Sequence, residues 1–281
     1  MEFVQWTADR PNLDSPILIL AFEGWNDAGD AASTAARHIR DRFGGEVFAT
    51  IDPEPFYDFT SNRPLLRLED GSRVIDWPEN SFAAISRPDL AHDLIVMVGH
   101  EPQLKWRTYT EQIISVVEEY DVDLIVSLGA LIADVTHSRP TPVYASGHDP
   151  KLIADLDLEP SSYEGPTGIV GVIHQALRSQ GYGSISLWAT VPSYVPHATS
   201  PKATLALVNR LAQLLTMAVP TTALEIAAAA YERQINDLVD DDEETKAYIA
   251  ELEQQYDSSM NPESGEELIK ELEQFLRDRN E

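Results

Sequence analysis

Uninterrupted apolar runs of strand length recur along the first two-thirds of the chain. The runs lack the alternation of a half-exposed strand, which is typical of strands buried on both faces of a sheet. The sequence therefore predicts five buried strands, and they cover residues 16–22, 47–51, 94–99, 124–130 and 185–191.

Segments with apolar residues at helical spacing separate these strands, and they cover 28–43, 106–120, 165–180 and 201–217. The alternation of strand and helix predicts a layered α/β domain with a central mixed, mostly parallel sheet. Two alternating runs within 65–77 flank Asp70-Gly71, a strong hairpin signal. We expect this hairpin at the edge of the sheet.

The pattern changes near Pro220, where strand-like runs stop. Helices are then predicted over 222–239, over 243–256 and from about Ser264. Ser264 and Glu267 form a capping-box pattern at the start of the last helix. Its apolar positions recur at helical spacing and are Leu268, Leu272, Phe275 and Leu276. The chain is thus divided into an α/β core domain, residues 1–220, and an acidic helical C-terminal subdomain, residues 221–281.

The charge of the chain limits the partners to be expected. Its 281 residues carry 20 Lys and Arg against 47 Asp and Glu, a formal net charge of −27. Residues 232–281 alone hold 17 acidic and five basic side chains. Such a chain is not expected to bind nucleic acid or an anionic membrane, since both need clustered cations. The acidic segment is either a solvated helical surface or a docking surface for a basic partner.

The absence of cysteine excludes disulfides, thiolate metal sites and a cysteine nucleophile. It also fits a reducing compartment. The N-terminal residues lack the basic and apolar regions of a signal peptide, and no apolar run approaches the ~20 residues of a membrane span. We therefore predict a cytoplasmic protein.

Polar side chains follow the predicted strands at their carboxyl ends, where ligands bind in open α/β sheets. The candidate pocket residues are Glu23, Trp25, Asp27, His100, Glu101, His137, Arg139, Glu164 and Thr167. If they converge, they would form one concave site, in which carboxylates hold a base or ribose hydroxyls and Arg139 holds an anion.

Structural roles are the alternatives for the same residues. Asp27 suits a helix cap, and Glu101 suits the positive end of a helix dipole. His137 can be a structural loop residue rather than a titrating group. The Gly-Pro-Thr-Gly sequence that ends at Gly168 can be a turn into a helix rather than an anion site.

Known catalytic and cofactor motifs are missing from the sequence. It has no GxGxxG or GK[ST] phosphate loop, no G-x-S-x-G nucleophile elbow and no HExxH zinc motif. No cofactor, no metal and no catalytic residue are therefore assigned.

Several stretches resemble one known family. LILAFEGWNDAGDAAS, EGPTGIVGVI and SLWATVPSYV closely resemble the proteasome assembly chaperone 2 family. Its bacterial branch is further indicated by FYDFTSNRPLLRLEDG, GHEPQLKW, LGALIADVTHSRP and SPKATLAL. The resemblance extends from about Pro16 to Arg277.

The resemblance implies an α/β fold similar to purine nucleoside phosphorylases and related hydrolases. It also implies a homo-oligomer and a proteasome-related protein partner. Members that engage proteasomes can end in a hydrophobic-Tyr-any tripeptide, whereas this chain ends in Arg279-Asn280-Glu281.

Two functions remain open. The favoured one is a non-enzymatic, assembly-chaperone-like or protein-interaction role. The alternative is a small-molecule binding protein or enzyme that uses the phosphorylase-like cleft for a nucleoside-like or anionic ligand.

Overall fold

A computed structural model describes residues 2–7, 9–148, 150–155, 159–160, 164–240 and 242–259. Within these ranges the chain forms eleven strands and seven α-helices. In chain order they are β1 (Val4–Trp6), β2 (Ile17–Glu23), α1 (Ala31–Arg42), β3 (Glu46–Ile51), β4 (Leu65–Glu69), β5 (Ser72–Asp76), β6 (Asn80–Ile85), β7 (Leu94–His100), α2 (Trp106–Glu119), β8 (Leu124–Ala133), β9 (Val143–Gly147), α3 (Pro150–Asp155), β10 (Glu159–Pro160), α4 (Ile169–Ser179), β11 (Ser184–Pro192), α5 (Pro201–Leu214), α6 (Thr222–Val239) and α7 (Glu243–Ser259).

Nine of the strands form one mixed sheet in the order β1-β3-β6-β7-β2-β8-β11-β9-β10. Its four central strands, β7, β2, β8 and β11, run parallel, and Leu20 of β2 lies between Met97 of β7 and Ser127 of β8. Antiparallel pairs flank this centre on both sides. The predicted α/β architecture with a central mixed sheet is confirmed.

The core lies on both faces of the sheet. Helices α1 and α5 cover one face, where Ile39 and Leu207 are fully buried. Helices α2 and α4 cover the other face, where Tyr109 and Ile173 are fully buried. The central strands are therefore apolar at almost every position, because side chains on both sides of each strand are withdrawn from water.

The hairpin at Asp70-Gly71 forms, but its predicted place is wrong. Strands β4 and β5 make a separate two-stranded sheet and do not extend the edge of the main sheet. The reason is that β1 already pairs with the outer side of β3, while β6 lies between β3 and β7. All five residues of β4 are exposed.

The C-terminal helices pack against the core through a narrow apolar contact. Helix α6 lies on α5 and buries Ala228, Tyr231 and Ile235, while α7 buries Ile249 and Leu252. The helix predicted from Ser264 lies outside the described residues, so the division at residue 220 stays a prediction. No helix in the described part of the chain is both long and apolar enough to cross a bilayer.

Candidate functional site

A cavity of about 990 Å³ opens at the carboxyl ends of the central strands. It is enclosed by the loop after β2, the end of β8, strand β9, the middle of β11 with the loop that follows β11, and the first two turns of α4. Three of the sequence-predicted residues line it, namely Trp25, Asp27 and Thr167. The strand-end rule thus places a concave site at the expected edge of the sheet.

Asp27 caps α1 and faces the cavity at the same time. Its Oδ1 accepts hydrogen bonds from the backbone N–H groups of Ala32 at 2.6 Å and Ser33 at 3.2 Å. The residue is 95% buried, and its Oδ2 has no hydrogen-bond partner. Burial raises the pKa of this carboxyl, against the opposing effect of its hydrogen bonds from Ser33 and Ala32.

Glu101 fills the N-terminus of α4. Its Oε1 accepts a 2.8 Å hydrogen bond from the Ile169 N–H and a 3.0 Å bond from Nδ2 of Asn26. Gly168 permits this approach, because a Cβ there would lie 2.8 Å from Oε1 of Glu101. The carboxylate that satisfies this helix end therefore belongs to the protein itself.

Glu23 and His100 are in hydrogen-bond contact beside the cavity. They are register partners at the ends of β2 and β7, and Nδ1 of His100 lies 2.6 Å from Oε2 of Glu23. Arg37 donates to the other oxygen of Glu23. The bond to His100 is the main reason that the pKa of Glu23 falls to about 2, and Arg37 lowers it further against the effect of burial. Tyr57 donates to the His100 carbonyl at 2.7 Å.

His137 and Arg139 lie at the C-terminal helices, apart from the residues that line the cavity. His137 is buried between the Tyr194 hydroxyl at 2.6 Å and Asn236 of α6 at 3.0 Å. Arg139 makes two 2.8 Å bonds to the Asp257 carboxylate of α7. The predicted use of Arg139 for an anion in the cavity is therefore wrong, because its guanidinium is already paired.

Glu164 also lies outside the cavity lining and is exposed. The nine predicted residues thus fall into three groups by their position in the structure. Trp25, Asp27 and Thr167 line the cavity, and Glu23, His100 and Glu101 lie beside it. The remaining three residues are His137, Arg139 and Glu164.

Most lining residues were not among the nine predicted ones, and three of them are large or titratable side chains, namely Tyr144, Trp188 and His174. Tyr144 belongs to β9, a strand that was not predicted, and Trp188 belongs to a strand whose apolar run concealed its role. His174 lies on α4 between the hydroxyls of Ser127 at 2.7 Å and Ser184 at 2.9 Å. Burial lowers the pKa of His174 to about 4, so its ring is neutral near pH 7.

The chemistry of the site is that of a binding pocket rich in acceptors. Among its described lining residues there is no Lys or Arg, while two carboxylates, Asp27 and Asp30, are present. Among all the residues that the structure describes, no group of three His, Asp or Glu side chains is placed to hold a metal ion.

Comparisons with known proteins agree with this architecture. The PAC2 family model matches residues 21–239. A PAC2 family protein of Streptomyces avermitilis is 43% identical, with a TM-score of 0.79 over 83% of this chain and 99% of that one. A Mycobacterium tuberculosis protein described as a proteasome-assembly chaperone homologue is 38% identical, with a TM-score of 0.76 over 84% and 99%.

More distant structures share the fold alone. Pyrococcus furiosus PbaB, an archaeal proteasome activator, is 20% identical, with a TM-score of 0.68 over 85% of this chain and 99% of that one. Among curated proteins, none matches the sequence significantly. The family match covers the strands and helices that build the cavity, and the chain therefore belongs to the PAC2 family.

Proposed function

We propose that the protein is an assembly-chaperone-like protein that acts by binding other protein chains, including copies of itself. The Mycobacterium tuberculosis relative, described as a proteasome-assembly chaperone homologue, supports proteasome subunits as the partner class. A cytoplasmic location is part of the proposal and is supported by the absence of cysteine.

The observation that carries the proposal is the exposed apolar face of the β4–β5 hairpin. Leu66 and Leu68 lie on one face of β4 and are 60% and 72% exposed. Ile75, the register partner of Leu66, is 49% exposed on the same face. Contiguous apolar side chains of this kind mark protein interaction sites, because exposing them to water is unfavourable.

A second copy of the chain is the proposed occupant of this face. Residues 65–77 contain Arg67 and Arg73 against three acids, whereas the whole chain has a net charge of −27. On the opposite face Arg67 pairs with Asp76 and Glu69, while Arg73 lies on the leucine face as the register partner of Leu68. The hairpin is thus a nearly neutral surface on an acidic protein, where two copies meet with least repulsion.

Analytical ultracentrifugation of the full chain tests the self-association. A Leu66→Arg, Leu68→Arg double variant should shift the protein toward monomer by at least tenfold in dissociation constant. Leu238→Arg is the matched control, because Leu238 is 70% exposed on α6 and should leave association unchanged. An unchanged double variant, or a monomeric wild-type protein, would overturn the hairpin assignment.

A reconstitution experiment tests the assembly role itself. Proteasome α and β subunits from the source organism are mixed with and without the protein, and the yield of assembled particles is measured over time. A faster or larger yield with the wild-type protein supports the role. Equal yields, together with no binding to isolated α subunits, would refute it.

A further inference from the structure

The cavity at the strand ends has features of a ligand site that the assembly role does not use. Its volume of about 990 Å³ lies at the upper end of the ~300–1,000 Å³ usual for small-molecule pockets. It is also separate from the hairpin, because none of residues 65–77 lines it.

Aromatic and aliphatic side chains form much of its wall. Trp25, Tyr144 and Ile132 line the cavity and are 63%, 59% and 50% exposed. Trp188 also lines it, and its ring packs on β8 at Gly129, where an added Cβ would come within 2.5 Å of Cε3. Such walls suit a flat aromatic ligand, since stacked and edge-on ring contacts are favourable.

Asp27 supplies a polar contact that lacks a partner. Its Oδ2 is buried without a hydrogen bond, although Oδ1 is satisfied by the start of α1. A buried acceptor of this kind costs free energy unless a donor reaches it. A ligand N–H group within the cavity would supply that donor.

An anion is disfavoured at the same place. The Ile169 N–H at the start of α4 is already bonded to Glu101, and Arg139 is bonded to Asp257. Asp30 adds a second carboxylate to the lining. Three histidines also line the cavity, namely His148, His174 and His197. With two carboxylates and no Lys or Arg among its described lining residues, the cavity favours a neutral or cationic ligand over an anion.

From this arrangement we propose that the cavity binds a planar aromatic molecule that carries N–H donors and is neutral or cationic. One N–H group of the ligand bonds to Oδ2 of Asp27, and the ring lies against Trp25, Tyr144 and Trp188. The ligand is bound without a covalent or redox step.

Three isosteric probes separate the ligand charges, namely benzamidine (cationic), benzamide (neutral) and benzoate (anionic). The readout is the set of five indole N–H signals of the full chain in a proton–nitrogen spectrum. Benzamidine and benzamide should shift the signals of Trp25 and Trp188 saturably. The signals of Trp6, Trp77 and Trp106 serve as internal controls, because these residues do not line the cavity.

Asp27→Asn is the decisive variant. The asparagine Oδ1 can still accept from Ala32 and Ser33, so the cap on α1 is kept, while the charged acceptor is replaced by an N–H₂ donor. Benzamidine affinity should fall at least about tenfold, as expected for losing a charge-assisted bond. Asp70→Asn, at the exposed turn of the hairpin, should leave it unchanged.

Trp25→Ala keeps the test valid if the Asp27 variant is unstable. This side chain is largely exposed, so its truncation should preserve the fold and weaken binding of both donor probes. The proposal is overturned if neither donor probe shifts Trp25 or Trp188, if benzoate binds as tightly as benzamidine, or if the two variants bind like the wild type.

Discussion

Glu101 and Ile169, which are 68 residues apart in sequence, are joined by a 2.8 Å hydrogen bond from the Ile169 N–H to Oε1 of Glu101. The bond fastens the loop after β7 to the first turn of α4. It brings a negative charge to the positive end of the helix dipole, and it also engages Asn26 from the loop after β2.

The Glu101 bond predicts a measurable loss of stability. Glu101→Ala should lower the free energy of unfolding by about 1–2 kcal/mol, because it leaves a helix-end N–H and the Asn26 amide without this acceptor. Glu101→Gln should cost less, since its amide oxygen can still accept. Urea titration of the three proteins checks the order, and an alanine variant as stable as the wild type would contradict it.

Glu23 should contribute stability that depends on pH. The native pKa of about 2 lies below the ordinary 4.5, mainly because of His100. The contribution is therefore complete above about pH 4.5 and is lost as the pH falls toward 2. Allowing for solvent screening of this partly exposed group, Glu23→Gln should cost about 1–2 kcal/mol at pH 7.

The check on Glu23 is a pair of unfolding curves for the wild-type protein and Glu23→Gln at a series of pH values. The difference in unfolding free energy should shrink below pH 4.5. A difference that stays constant down to pH 3 would mean that the contact with His100 is not its source.

His174 should stay neutral well below the pH at which a free histidine protonates. Its pKa is lowered from 6.5 to about 4 by burial between Ser127 and Ser184. Between these values the unfolded chain binds a proton that the folded chain does not, so stability falls as the pH drops from 6.5 to 4. Imidazole chemical shifts of the folded protein at pH 5.5 should report a neutral ring, and a protonated ring there would refute the assignment.

The pairing of Arg139 with Asp257 should hold α7 on the core. Arg139→Ala removes both 2.8 Å bonds and should speed amide hydrogen exchange in residues 243–259, while exchange in the central strands stays slow. Arg87→Ala is the control, because Arg87 pairs with Asp89 only two residues away and its guanidinium lies over Phe43 at the end of α1, not on α7. Equal exchange in α7 for both variants would exclude this role.

Lowering the pH should weaken the packing of α7 on the core, as the Arg139→Ala substitution does. The hydrogen bond from Arg139 lowers the pKa of Asp257, so the ionised form is favoured in the docked state. The pairing is therefore present above the ordinary pKa of an aspartate and lost as the pH falls through the lowered value. In the Arg139→Ala protein, exchange in α7 should lose this acid dependence.

The buried strands could be predicted because burial on both faces leaves an uninterrupted apolar run. Strand β2, for example, is buried at six of its seven positions. Strand β9 could not be predicted in this way, since only Gly147 is buried among its five residues. The Asp70-Gly71 turn specified a local pairing, but nothing in a two-residue turn says which strand lies beside the hairpin.

The sequence placed site residues correctly only where it also predicted the end of the preceding strand correctly. Glu23 is the last residue of β2, and Glu101 follows β7. Both strands end within one residue of the apolar runs, and both carboxylates lie beside the cavity. Strand β8 continues to Ala133, three residues beyond its predicted end, which is about 10 Å of extended chain. His137 and Arg139 therefore reach the C-terminal helices, a contact between distant segments that local spacing does not reveal.

Because the hairpin forms a separate, exposed sheet on an acidic chain, ionic strength should control how strongly the protein self-associates. In dilute buffer, copies with a net charge of −27 repel one another before their exposed leucines can touch. At physiological ionic strength the electrostatic field of each copy decays over ~8 Å, so the repulsion that opposes close approach becomes weaker. Salt should therefore drive the chains together, the reverse of its usual effect on complexes held by opposite charges.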